Sequence, residues 1–289
     1  MTRIGAIFNP YTHSPEEFLP GVRAAERAGV EEVWIWEDCF RTSGFAAAAA
    51  ALASTERLRI GIGIAPMPLR NVALTAMEIA TLERLFPGRL LPGLGHGVLD
   101  WMGQVHARVA SPLTLMREYL PALRGLLAGD EVSTEGRYVS LDAVRLDYPP
   151  ATVPRVYAAA EGPKTLRLAG AVADGVVLDS KHTVDEVAHA VAAVREGRRE
   201  SGRGGEPDVV AYVVAAFGAD AESRVRTDLS EISDPLERAV HGDPARVAEG
   251  VARFAAAGVD DVVLLPLSRQ DPAEFSAATA EVARLIAAV

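Results

Sequence analysis

Leu58 to Trp101 reads LRIGIGIAPMPLRNVALTAMEIATLERLFPGRLLPGLGHGVLDW, and the order of elements within it decides the fold. Leu58 to Ile64 alternates isoleucine with glycine and runs into Ala65-Pro66-Met67-Pro68, which reads as a buried strand ending in a proline-rich loop. A helix is expected from near Asn71 to Pro87-Gly88, breakers that cannot continue it. Arg89 to Leu94 is the next buried strand, and Gly93-Leu94-Gly95-His96-Gly97 forms its glycine-spaced exit. Strand, helix, strand with short links is the unit of a parallel sheet, whose ligand end lies where the strands terminate. Both unusual loops fall at that end.

The same rhythm extends in both directions. Upstream, Arg3 to Phe8 is an apolar, β-prone strand, and Ser14-Pro15-Glu16-Glu17 opens a helix that stops at Gly29. Val33-Trp34-Ile35-Trp36 is the second strand, closed by Glu37-Asp38-Cys39-Phe40, with a helix to about Ser54. Downstream, Leu113, Met116, Leu120, Leu123 and Leu127 recur at helical spacing within Ser111 to Ala128. Glu131 to Tyr148 breaks the rhythm with short alternating runs around Glu135-Gly136, the pattern of a small hairpin. Strands are then expected at Arg155 to Ala159, Gly175 to Leu178, Val209 to Phe217 and Val262 to Leu267, separated by helices. Ala219 to Val240 is polar and irregular and reads as broken helix or lid. Eight strand–helix units without a change of composition predict one domain over residues 1–289, a (β/α)8 TIM barrel with a β-hairpin insertion between strands four and five. A doubly wound open sheet is the structural alternative. The length, close to the usual ~250 residues, favours the barrel.

Composition narrows the partners. The 289 residues are 49% hydrophobic with a formal net charge of -10, and no basic run offers a face to nucleic acid. Cys39 is the lone cysteine, which excludes an intrachain disulfide framework or a Cys-based zinc site and fits a reducing compartment. MTRIGAIFNPY lacks the apolar core of a signal peptide, and the alanine-rich run Phe45 to Ala53 is shorter than the roughly 20 residues that span a bilayer. A cytoplasmic, soluble protein without a membrane partner is expected.

In a barrel the chemistry sits at the C-terminal ends of the strands. Those ends are mostly apolar or glycine: Asn9, Asp38-Cys39, Ala65-Pro66-Met67, Gly95-His96-Gly97, Ala160-Glu161-Gly162, Asp179-Ser180-Lys181, Phe217 and Pro266-Leu267. The set offers neither a nucleophile with its base nor a cluster of metal ligands, and the remaining histidines have no ligand spacing. A planar cofactor against apolar walls suits it better. Gly162-Pro163-Lys164 reads either as an anion cradle at a helix N-terminus or as a plain proline-initiated helix start. The glycines at 93, 95 and 97 keep the backbone small for an approaching ring, or simply make a tight turn. His96 either exchanges protons with a bound ring or makes a structural hydrogen bond. Asp38 either supports the site or caps the following helix, Cys39 either lines the pocket or packs, and Trp101-Met102 is either wall or core.

The run Glu78 to Gly97, with ATLERLFPGR and LGHG, and the later AAEGPKTLRLAG…ADG from Ala159 to Gly175 resemble the bacterial luciferase-like superfamily. The resemblance covers essentially the whole chain and is closest to the coenzyme F420-dependent oxidoreductases related to methylenetetrahydromethanopterin reductase. It implies a barrel with the deazaflavin ring at the strand C-termini. A bulge with a non-prolyl cis peptide would lie under that ring, at Ile64, Ala65 or their neighbours, with Pro66, Gly95, His96 and Trp101 around it. It also implies a phosphate site after strand five, at Ala160, Glu161, Gly162, Pro163, Lys164 and Thr165, and a homodimer formed through early helices. Relatives acting on sugar phosphates have a histidine and a glutamate where this chain has Cys39 and Val98, so that substrate does not carry over. The implied activity is hydride transfer between F420 and a small organic substrate, with His96, Asp38 and Cys39 as the candidate chemical groups. FMN in a monooxygenase, or a binding protein without turnover, are the alternatives.

Overall fold

The computed structural model describes residues 2–288. β1 (Arg3–Ile7), β2 (Glu32–Ile35), β3 (Arg59–Pro66) and β4 (Leu90–Gly95) run parallel, each beside the next. The antiparallel hairpin of β5 (Val132–Glu135) and β6 (Ser140–Val144) interrupts them. The parallel order resumes with β7 (Tyr157–Ala159), β8 (Gly175–Leu178) and β9 (Asp208–Phe217). After the short β10 (Ala239–Gly242), β11 (Asp261–Pro266) pairs with both β9 and β1 and closes the ring. The sheet is therefore a closed (β/α)8 barrel, and the open-sheet alternative falls away.

Helices α1 (Pro15–Ala28), α2 (Gly44–Ser54), α3 (Val72–Leu85), α4 (Leu99–Gln104) and α5 (Pro112–Ala128) surround the first half of the ring. α6 (Pro163–Val172), α7 (Val184–Ser201), α8 (Ala221–Asp228), α9 (Pro244–Ala256) and α10 (Pro272–Ala287) surround the second. No helix among the described residues is long and apolar enough to cross a membrane. The irregular segment after β9 resolves into α8, a 3-10 turn at Pro235–Arg238 and β10. β10 lies along the last residues of β9, Val214 to Phe217, while β8 lies along its first, Asp208 to Ala211. It extends the wall at the mouth.

Two apolar layers hold the barrel. One packs the helices on its outside, where the small side chains of Ala48 and Ala51 let α2 sit close. The other fills its inside with Ile7, Trp34, Leu91, Tyr157, Val210, Tyr212 and Val263. The N-terminal end is plugged by charge: Arg3 pairs with Asp261, Arg59 with Glu32 at 2.7 Å, and Arg155 with Asp208 at 2.6 Å. The Trp34 indole donates to Glu32 Oε1 at 3.1 Å, tying the plug to the interior. That end is closed, and access is left to the mouth.

Trp34 fits only because β3 yields space. A methyl group at Gly61 would lie 2.1 Å from the indole, which is fully buried and cannot retreat. Gly61→Ala is expected to cost about 3 kcal/mol of overpacking, read as a lowered urea midpoint, and loss below about 0.5 kcal/mol would contradict this packing.

Candidate active site

The floor of the mouth is the end of β3. Its register against β4 shifts between Ile62 and Ala65, and the Gly63–Ile64 peptide is cis, where the sequence resemblance placed it. From below, the buried Tyr212 phenol donates to the Gly63 carbonyl oxygen at 3.3 Å. A methyl at Gly63 would lie 1.6 Å from that hydroxyl. Ile64 presents a half-buried side chain, whereas Ala65 and Pro66 are buried beneath it.

The glycines of β4 answer to this bulge. A methyl at Gly93 would meet the Ile62 carbonyl oxygen at 2.4 Å, and one at Gly95 would meet Ile64 at 3.0 Å. Gly97 has φ 68°, left-handed backbone that favours glycine. Each glycine thus has a reason internal to the protein, beside the room for a ring or the tight turn read from the sequence. Between them His96 is half-buried, its Nδ1 2.6 Å from the Gly97 carbonyl oxygen. A carbonyl only accepts, so Nδ1 carries the hydrogen in this contact and Nε2 is left for another partner. Trp101 is half-buried at the mouth on α4, while Met102 is core.

The adjoining wall follows β2, the neighbour of β3. Asp38 accepts from the Tyr11 phenol at 2.7 Å, and the Arg41 guanidinium lies 3.9 Å over the Tyr11 ring. Burial pushes the Asp38 carboxyl above the ordinary carboxylate range; the charge of Asp179 adds to this, and Tyr11 and Arg41 oppose it. The cap of α2 is Ser43, whose side chain accepts from the Ala46 amide at 3.4 Å, so Asp38 is free of that duty. Cys39 is half-buried, and burial first, then Glu37 and Asp38, push its thiol up. It stays a neutral thiol near neutral pH.

The phosphate candidates lie across the mouth. α6 begins at Pro163 with Gly162 as its N-cap and no side-chain cap, leaving the first-turn amides of Lys164 and Thr165 to point outward. Nothing lies within 4 Å of the place a side chain would begin at Gly162. Glu161 and Lys164 are exposed, Thr165 half-buried and Ala160 buried. Lys164 and Lys181 are the only lysines among 29 basic residues, and both sit at the ends of adjacent strands, β7 and β8.

Sequence reasoning missed the bracket that holds these loops. Arg70, after β3, pairs with Glu37, after β2, through Nη1 to Oε1 and through Nη2 to Oε2 at 2.9 Å. Glu37 Oε2 also accepts the Gly44 amide at 2.6 Å, and Arg70 Nε reaches Glu78 at 3.2 Å. Tyr11 was missed as well, lying two residues beyond Asn9, the strand end that was read. Removing one partner of a buried pair strands the other. Arg70→Met is expected to lose about 3 kcal/mol by chemical denaturation, and Glu37→Gln with Arg70→Met about half that. Equal losses in the single and the double variant would contradict the bracket.

The family described as luciferase-like monooxygenase matches residues 1–232. The 5,10-methylenetetrahydromethanopterin reductase of Methanolobus tindarius is 32% identical over 201 residues, covering 69% of this chain and 61% of that protein. The F420-dependent glucose-6-phosphate dehydrogenase of Kineococcus radiotolerans is 30% identical over 304 aligned positions, covering 88% of this chain and 89% of that one. Among solved structures, an F420-dependent secondary alcohol dehydrogenase in complex with an F420–acetone adduct superposes with a TM-score of 0.87 at 22% identity, covering 99% of both chains. That likeness is one of fold.

Proposed function

The chain belongs to the luciferase-like monooxygenase family, and on that premise we propose that it is a coenzyme F420-dependent oxidoreductase acting on a small organic substrate. The observation that carries this reading is the pairing of two features across one mouth. The β3 bulge at Gly63–Ile64 provides a floor for a flat ring, and the uncapped start of α6 provides a seat for an anion. Relatives named as F420-dependent support the choice of ring.

When bound, F420 supplies a two-electron carrier that gives or takes a hydride. In this reading Ile64, Ala65 and Pro66 form the floor, with Gly95, His96 and Trp101 as the adjoining wall. The amides of Lys164 and Thr165, the Lys164 ammonium and the positive end of α6 hold the phosphate, with Ala160, Glu161, Gly162 and Pro163 shaping the turn. Asp38 takes or returns the proton that accompanies the hydride, His96 touches the ring or exchanges a proton through Nε2, and Cys39 lines the wall as a neutral thiol. The working form we propose is a cytoplasmic homodimer of single barrel domains. α3 carries Leu74, Met77 and Leu85 exposed, and α2 carries Ala46 and Ala50, an apolar face suited to a second copy.

Fluorescence titration tests the cofactor. F420 is expected to bind, and Lys164→Ala to weaken it about tenfold, the cost of one charge-assisted phosphate contact. Tight FMN binding without F420 binding would replace this reading with the flavin monooxygenase one. Bound F420 whose visible absorbance no carbonyl, enone or imine ever changes would leave a binding protein.

A further inference from the structure

One hydroxyl at the mouth has no part in the chemistry described so far. Tyr11, in the loop after β1, is 47% exposed, yet its ring is held on two sides. The Arg41 guanidinium covers its face at 3.9 Å, and the Trp36 ring meets it edge-on with 6.1 Å between centroids. The phenol therefore reaches Asp38 Oδ2, 2.7 Å away, from a set direction.

Asp38 also answers to a group across the barrel. β2 and β8 occupy opposite positions in the ring, and the charge of Asp179, after β8, reaches Asp38 over the mouth. Desolvation and Asp179 favour the neutral acid, whereas the Tyr11 hydrogen bond and the Arg41 charge favour the anion. Its near neighbours on β2's own loop, Glu37 and Cys39, are engaged by Arg70 or held as a thiol. The charge state of Asp38 is thus a balance, and Tyr11 is its donor from outside the β2 loop.

We propose that Tyr11 is a positioning residue for proton transfer: its hydroxyl holds the Asp38 carboxyl over the mouth as an anion, aimed to accept the substrate's proton. The role rests on the oxidoreductase reading above. For an alcohol substrate, oxidised F420 bound at the mouth would supply the acceptor for the hydride released as the C–H bond breaks. The O–H proton passes to Asp38, and a carbonyl forms. In reverse, reduced F420 would supply the hydride to the carbonyl carbon, and Asp38 would return the proton to its oxygen. Tyr11 keeps its own proton throughout, since burial and the Asp38 charge push its phenol up.

The test is a carboxyl-carbon NMR titration of the coenzyme-free protein labelled at aspartate, with Asp38→Asn assigning the resonance. Tyr11→Phe is expected to raise the Asp38 midpoint by about one pH unit, and Asp179→Asn to lower it. A midpoint unmoved in both folded variants overturns the proposal, as does a fall in thermal stability with no change of midpoint. In the F420-loaded enzyme, the pH at which oxidation fails on the acid side is expected to rise in Tyr11→Phe by the same increment. Because the titration needs no coenzyme, absence of F420 binding would defeat the oxidoreductase reading while the Tyr11–Asp38 coupling is still measured.

Discussion

The mouth of this barrel depends on a register shift in β3. Between Ile62 and Ala65 the strand slips against β4, turning the Ile62 carbonyl toward Gly93 and lifting Ile64 toward the opening. Everything near it is cut to fit. Gly63 leaves room for the Tyr212 hydroxyl, and Gly93 and Gly95 let the two strands stay in contact across the irregularity. The buried phenol of Tyr212 supports the bulge from within, so the floor of the site and the core of the barrel are one structure. A floor built this way is rigid, the property a cofactor site needs if reacting atoms are to be held within a fraction of an ångström.

Charge is divided between the two ends of the barrel according to use. At the N-terminal end, Glu32, Asp261 and Asp208 are matched by Arg59, Arg3 and Arg155, and the result is a plug. At the mouth, Glu37 is matched by Arg70, whereas Asp38 has a phenol and a guanidinium stacked on that phenol beside it, with a second carboxylate opposite. An incompletely matched carboxyl holds its proton more readily than an ordinary one. Matched pairs hold the architecture, and the less matched one is placed where a proton has to move.

Much of this architecture is legible in the chain because its causes are local. Apolar runs bounded by proline and glycine mark the barrel strands, and the alternating residues around Glu135-Gly136 mark the hairpin. The start of α6 is equally readable, since Gly162-Pro163 is a local instruction. β10 was not, because Ala239–Gly242 sits in a polar, irregular stretch and is drawn out as a strand by its pairing with the end of β9. Nor was the pairing of Glu37 with Arg70, whose partners are 33 residues apart. The glycines of β4 were visible, but their fit to the bulge was not: their neighbours Ile62 and Ile64 lie on another strand, which spacing alone does not show.

The central claim is spatial, that one flat cofactor spans the mouth from the β3 bulge to the start of α6. A crystal structure of the complex with F420 tests it directly. The account predicts the ring against Ile64 and beside His96, with the phosphate accepting from the amides of Lys164 and Thr165. A ring bound away from the Gly63–Ile64 peptide, or a phosphate held elsewhere with the start of α6 left to solvent, would contradict it.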